Sequence, residues 1–437
     1  MTGFLGNRPM AKLQVALDFV DLSRALKCGE AAVAGGADIL EAGTPLIKSE
    51  GLNAVRALKK HFPRVEIVAD MKTVDAGRTE IESAAKAGAT VATVLGLSSL
   101  STIEECIEAG RNYGIKIAVD LLGVGDPGEF ASRLEALGVD EVGVHTAIDD
   151  QMRGGSPFAL LEEVRRAVAV TISVAGGINS ETAAAAVASG ADIVIVGGAV
   201  IKAKDVRGAA ATIKEALATG AVVKTELFRR FTGADAIAVF SRVSTPNISD
   251  AMHRTGSFTG LKRFSGAGKL VGRAVTVRTY PGDWAKPVEA IDLAQPGDVI
   301  VVDAGGQEIA VWGELATESC LQKKIAGVVI DGAVRDIDDI RKLDFQAWAR
   351  FVNPTAGEPK GFGEINVPVA VGGLEVAPGD YIVGDDSGLV RVPRAKLAEI
   401  ANRSMDCLEK ENRIREEIRE GSTLSSVTEL LRWEKKS

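Results

Sequence analysis

The chain has 437 residues, room for two or three domains, with 48 glycines and only 5% aromatic residues. A net charge of −8 argues against a basic surface for nucleic acid, and no stretch is long and apolar enough to span a bilayer. Four cysteines (Cys28, Cys106, Cys320 and Cys407) lie far apart with no Cys-x-x-Cys pair, so they read as free thiols of a reducing compartment and the expected location is the cytoplasm.

From 13 to about 218, short apolar runs alternate with amphipathic stretches. The runs at 13–17, 38–41, 65–69, 90–95, 115–119, 141–145, 171–175 and 192–196 are eight candidate strands. Gly-Ala or Gly-Val pairs at 36–37, 88–89, 138–139 and 190–191 stand just before strands, where glycine ends a helix in the left-handed conformation. Eight strand–helix units in this length predict an α/β domain of the (β/α)8, or TIM, barrel type. An open doubly wound sheet is the alternative, but it usually has fewer strands.

In such a barrel the carboxyl ends of the strands collect the chemistry. Strand 1 ends in Asp18 and strand 2 in Glu41. Strand 3 ends in Asp70 and Lys72, with Asp75 in the loop. Strand 5 ends in Asp120, and strand 6 in His145. Strands 7 and 8 are followed by Gly176-Gly177 and Gly197-Gly198. Asp70 and Lys72 point to the same side of an alternating strand. Burying a lysine beside carboxylates is costly without a purpose; the bland alternative is an ion pair capping the strand.

The glycine pairs allow backbone N–H groups to approach a phosphate, or are plain turn glycines. Glu41 and Asp70 could share a hard divalent ion through oxygen ligands, or be held by Lys72 alone. Of three histidines only His145 occupies a strand end, where it suits proton transfer near neutral pH; a core histidine is the alternative. Together these groups suit chemistry at a carbon next to a carbonyl, with Lys72 and a metal stabilising an enediolate.

The stretches Glu41-Ala-Gly-Thr-Pro-Leu-Ile47, Asp70-Met-Lys-Thr-Val-Asp75 and His145-Thr-Ala-Ile-Asp-Asp-Gln151 resemble the 3-hexulose-6-phosphate synthases of the orotidine-monophosphate decarboxylase superfamily. The resemblance covers 11–218. It implies reversible aldol addition of formaldehyde to ribulose 5-phosphate with Mg2+ or Mn2+. It would place the metal on Glu41 and Asp70, Lys72 by the enediolate, Asp18 on substrate hydroxyls and His145 as acid and base. It also sends Asp75 into a partner's site, which implies a homodimer. The family's usual phosphate arginine after strand 8 is absent: the loop reads Val196-Gly197-Gly198-Ala199, leaving backbone N–H groups, Lys202 or Lys204. The sister activity, keto-gulonate-phosphate decarboxylation, uses an arginine shortly after the strand-6 histidine. Asp149-Asp150-Gln151 stands there instead, which favours the synthase.

Residues 219–231 read as a linker with mixed charges at Lys224, Glu226, Arg229 and Arg230. A second strand–helix rhythm over 232–394 predicts an α/β swivelling domain. Gly305-Gly306, read as standing beside a helix start, could bind an anion through N–H groups. Arg335 offers a bidentate clamp for a carboxylate, and Glu314 with Asp336 could hold a second divalent ion. An Arg–Asp turn pair ahead of a solvated helix is the alternative. The Asp331-Gly-x-x-Arg335-Asp336 stretch, with Glu314 twenty-one residues before the arginine, resembles the regulator of ribonuclease E activity A-like family. That family includes class II 4-hydroxy-4-methyl-2-oxoglutarate aldolases, which commonly have aspartate where Glu314 stands. The resemblance implies either a 2-oxo-acid aldolase or decarboxylase, or a non-catalytic regulator that binds a ribonuclease, and a three-fold ring. Combined with the barrel dimer, it implies a hexamer. Residues 395–437 read as a charged, solvated helical tail that packs on a neighbouring subunit, with no role at a membrane.

Overall fold

The computed structural model describes residues 10–225 and 228–428. Residues 1–9, Glu226 of the expected linker and 429–437 of the expected tail lie outside the described residues. The chain divides into two compact units, Met1–Arg230 with Glu409–Ser437, and Phe231–Leu408.

The first unit holds a closed barrel of eight parallel strands in sequence order. They are β1 Lys12–Leu17, β2 Ile39–Ala42, β3 Glu66–Thr73, β4 Val91–Leu95, β5 Lys116–Asp120, β6 Glu141–His145, β7 Thr171–Ala175 and β8 Ile193–Val196. Runs such as Ile-Val-Ile-Val in β8 are apolar throughout because a parallel strand of a barrel is covered on both faces. Helices between strands end as expected: Gly88 and Gly138 have φ of +97° and +83°, a region an L side chain rarely adopts. The core lies between strands and helices, around buried Leu13, Leu40, Ile67, Ile103, Val142 and Ile213. A smaller apolar cluster of Ile39, Val68, Val91, Ala118 and Ile193 lies among the strands themselves.

β3 runs four residues beyond the apolar segment, to Thr73, and so carries Asp70 and Lys72 within the strand. Its pairing with β4 slips between Ala69 and Thr73, and Lys72 adopts φ +45°. Such a backbone costs on the order of 1–3 kcal/mol and persists where surrounding contacts hold it, often at functional sites.

The second unit is an α/β domain on a mixed sheet. Leu270–Thr279, Val299–Asp303, Gly327–Val334 and Gln346–Val352 run parallel at its centre. Lys262–Ser265 pairs antiparallel on one side, and the hairpin Tyr381–Asp385 with Gly388–Val392 on the other. Helix Leu397–Arg419 departs from the solvated tail expected of it: Ile400, Ala401 and Met405 are buried against Phe240 and Ile248 of the same unit. The physical reason is an apolar stripe at helical spacing, hidden among many charges. Among the described residues no helix is long and apolar enough to cross a membrane.

Candidate active site

A cavity of ≈ 370 Å³ opens at the carboxyl ends of the barrel strands. Asp18, Glu41, Asp70, Lys72, His145, Gly176, Gly177, Gly197 and Gly198 all line it, so nine residues singled out from the sequence meet in one place. Asp75 does not line it. Its carboxylate is exposed and accepts the Ala76 N–H at 2.7 Å.

At the centre is a chain of charges across β3, β5 and β6. Lys72 Nζ lies 2.8 Å from both carboxylate oxygens of Asp70 and 3.2 Å from Asp120 Oδ2. Asp120 Oδ2 is in turn 3.0 Å from His145 Nδ1, and its Oδ1 accepts the Leu122 N–H at 2.9 Å. Asp70 is fixed further by hydroxyls: Thr44 Oγ1 donates to its Oδ2 at 2.5 Å and Thr93 Oγ1 to its Oδ1 at 2.8 Å. Thr93 Oγ1 also accepts the Lys72 backbone N–H at 2.9 Å, which ties the strained backbone to the neighbouring strand. Glu41 is buried and accepts a hydrogen bond from Gln14 Nε2 at 2.7 Å.

Burial would discharge Lys72, but the carboxylates of Asp70 and Asp120 outweigh it and hold the ammonium charged well above the usual lysine range. Burial also opposes ionisation of Asp120; the hydrogen bond and charge of His145, with Lys72, nevertheless hold its carboxyl low. Asp18 and Glu41 go the other way. Burial, then the charge of Asp70, raises both, and Asp18 adds to the effect on Glu41. The site therefore has excess negative charge at its carboxylate end.

Of the glycine pairs, Gly197 stands against Asp18, whose Oδ2 would be 3.2 Å from a Cβ there. Gly176 and Gly177 have φ of +120° and +71°. A Cβ on Gly176 would stand 2.9 Å from the Thr146 backbone oxygen, so the loop after β7 closes tightly on the loop after β6. Among the described residues no group of three His, Cys, Asp or Glu side chains forms a ready metal cage. Sequence reasoning named Asp120 as a strand end but gave it no role. It missed Gln14, Thr44 and Thr93, of which only Gln14, a polar residue inside an apolar strand, carried a signal.

In the second unit, Glu314, Arg335 and Asp336 come together. Glu314 opens helix Glu314–Gln322, and its N–H donates to Asp336 Oδ2 at 3.2 Å. Arg335 Nε is 3.5 Å from the same oxygen, and Asp336 adopts φ +55°. Gly305 and Gly306 require a correction. They precede a strand, Ala310–Trp312, not a helix. Their N–H groups donate to Asp303 Oδ1 at 3.1 Å and to the Asp331 carbonyl at 3.0 Å, so they brace a turn. Buried Asp331 itself pairs with the partly exposed Arg350, at 2.6 Å from Nε.

Residues 11–213 match the family described as orotidine 5'-phosphate decarboxylase / HUMPS, and residues 245–391 match Aldolase/RraA. The chain is 42% identical over 205 residues to the 3-hexulose-6-phosphate synthase of Methylomonas aminofaciens, covering 47% of this chain and 98% of that protein. It is 39% identical over 207 residues to that of Mycobacterium gastri, covering 47% of this chain and 100% of that protein. The crystal structure of 3-hexulose-6-phosphate synthase from Salmonella typhimurium aligns with 37% identity and a TM-score of 0.47, over 48% of this chain and 100% of that one. Through its first half the chain belongs to the orotidine 5'-phosphate decarboxylase / HUMPS family, as an enzyme of the 3-hexulose-6-phosphate synthase kind, and its second half carries an Aldolase/RraA-like domain.

Proposed function

We propose that the barrel catalyses the reversible aldol condensation of formaldehyde with ribulose 5-phosphate, in the cytoplasm. The observation that carries this reading is the continuous set Asp70–Lys72–Asp120–His145 at the open end of the barrel. Asp120 orients the imidazole through Nδ1, leaving Nε2 for proton transfer. In the forward direction His145 takes a proton from C1 of the ketose, and the electron pair forms an enediolate. C1 then bonds to the formaldehyde carbon, and the formaldehyde oxygen takes the proton back from the imidazolium. Lys72, held charged, stabilises the oxyanion that develops. Asp18, which lines the cavity, accepts from substrate hydroxyls in this reading.

Glu41 and Asp70 suit a hard divalent ion, Mg2+ or Mn2+. Burial and the neighbouring carboxylates push Glu41 well above its usual range, a strain that a cation relieves, and Mg2+ is commonly held by one or two carboxylates with water and substrate completing the shell. When bound, the ion supplies Lewis-acid polarisation of the ketose oxygens. The test is turnover of ribulose 5-phosphate plus formaldehyde by the whole chain, with and without Mg2+. No turnover under either condition sinks the reading. The absence of an arginine among Asp149, Asp150 and Gln151 disfavours a keto-gulonate-phosphate decarboxylase.

For the second unit we propose a small 2-oxo acid held by Arg335, with a divalent ion at Glu314 and Asp336. The convergence of these three residues supports this reading over a purely regulatory domain.

A further inference from the structure

Beyond the last barrel helix, Val206–Thr219, the chain returns to the mouth of the cavity. Ser180 Oγ donates to the Val223 carbonyl at 2.8 Å, and the Thr225 N–H donates to Glu181 Oε1 at 2.9 Å. Phe228 is then held at φ +56° by its N–H donating to Glu409 Oε1 at 2.9 Å and its carbonyl accepting from Asn179 Nδ2 at 3.3 Å. Its ring lines the cavity and covers Gly198, where a Cβ would collide with it. Two cations flank that ring: Arg230 with its guanidinium carbon 4.3 Å from the centroid, and Lys202 with Nζ at 5.1 Å. Arg230 also donates to Oε1 of Gln151, another residue of the cavity wall, at 3.2 Å.

The cavity thus holds a carboxylate cluster around Lys72 and a separate pair of cations on Phe228. Asp70 and Asp120 stand at Lys72, with Glu41 beside Asp70, while Lys202 and Arg230 flank Phe228, which covers Gly198, and Arg230 reaches Gly177. A doubly charged phosphate is repelled by the carboxylate cluster and drawn to the two cations. We propose that Arg230, from the segment following the barrel, joins Lys202, at the end of the short helix Gly198–Ile201 after β8, in anchoring the substrate's phosphate group. This inference rests on the sugar-phosphate reading above. The planar fork of Arg230, pre-oriented by stacking on Phe228, is suited to two phosphate oxygens at once.

The test uses the full chain and the variants R230Q, R230K and K202Q, with melting temperatures measured alongside. Binding of ribulose 5-phosphate and of inorganic phosphate is read by calorimetry, and KM and kcat by turnover. R230Q is expected to weaken both ligands about tenfold and to raise KM similarly with kcat within about twofold, and R230K to restore part of the loss. If R230Q melts early, K202Q must show the same loss of affinity at an unchanged melting temperature. Unchanged affinity and KM in both R230Q and K202Q overturn the inference while leaving the synthase reading intact. Arginine-dependent phosphate binding in a chain without turnover upholds the inference and removes the synthase reading.

Discussion

His145 and Asp120 face each other from neighbouring strands, Nδ1 to Oδ2 at 3.0 Å, and the same carboxylate oxygen is shared with Lys72 at 3.2 Å. Asp120 therefore governs both the ring that would move the proton and the cation that would stabilise the oxyanion. D120N keeps the size but loses the charge. Its kcat is expected to fall by roughly 10²–10⁴ with KM little changed, because proton transfer needs the ring held in one tautomer. Steady-state kinetics of the purified variant check this; wild-type kcat in D120N would remove Asp120 from the mechanism.

Asp70 contacts Lys72, Thr44 and Thr93 at once. D70A is expected to abolish turnover, by at least about 10³-fold, and to eliminate stimulation by Mg2+ while circular dichroism still reports a folded barrel. Near-full activity in D70A would show that neither the metal nor Lys72 depends on it.

Glu141 lies buried on β6, also lines the cavity, and offers a pH test. Burial raises its carboxyl above the usual range, only partly offset by a hydrogen bond with Ser173 and the charge of Lys116. The folded state thus binds this proton more tightly than the unfolded state. The stabilisation is complete below the unfolded value of 4.5 and is lost as pH rises through the raised folded value. E141Q is expected to stabilise the barrel at pH 8 by roughly 1 kcal/mol, or about 2–4 °C in melting temperature, and to have little effect near pH 4. Melting curves at the two pH values decide it; equal effects at both would mean that ionisation is not the cause.

Asp75 is exposed and absent from its own chain's cavity wall. If it completes a partner's site, D75A and K72A chains are each inactive, yet a mixture recovers up to about a quarter of wild-type activity through mixed dimers. Light scattering on the same samples reports whether the whole chain forms a dimer or a hexamer. A monomer with full activity would exclude a role for Asp75 across an interface.

Arg335 and Asp336 make the corresponding case in the second unit. R335A is expected to lose calorimetric binding of oxalate in the presence of Mg2+ by roughly tenfold or more. Retained affinity would place the oxo-acid site elsewhere.

The order of strands and helices was legible in the chain because it rests on local periodicity. Apolar runs bounded by glycine C-caps mark buried parallel strands wherever they occur, and a barrel puts every strand's carboxyl end on one face. That alone brings Asp18, Glu41, Asp70, Lys72 and His145 together. Alternation along β3 pointed to Lys72 beside Asp70, although the folded strand makes that contact through an irregular backbone with Lys72 at φ +45°. What the sequence could not reveal are contacts that depend on closure of the barrel and on the path of the chain afterwards. Asp120 takes Lys72 as well as His145 because β3 and β5 curve toward a common interior. Phe228 and Arg230 reach the glycine loops from a stretch with no periodicity to read. Gly305 and Gly306 brace a turn because Asp303 and Asp331 stand where the folded sheet puts them. Local propensity determined the elements and the face on which polar groups would gather, whereas which charge meets which was set by packing between residues far apart in the chain.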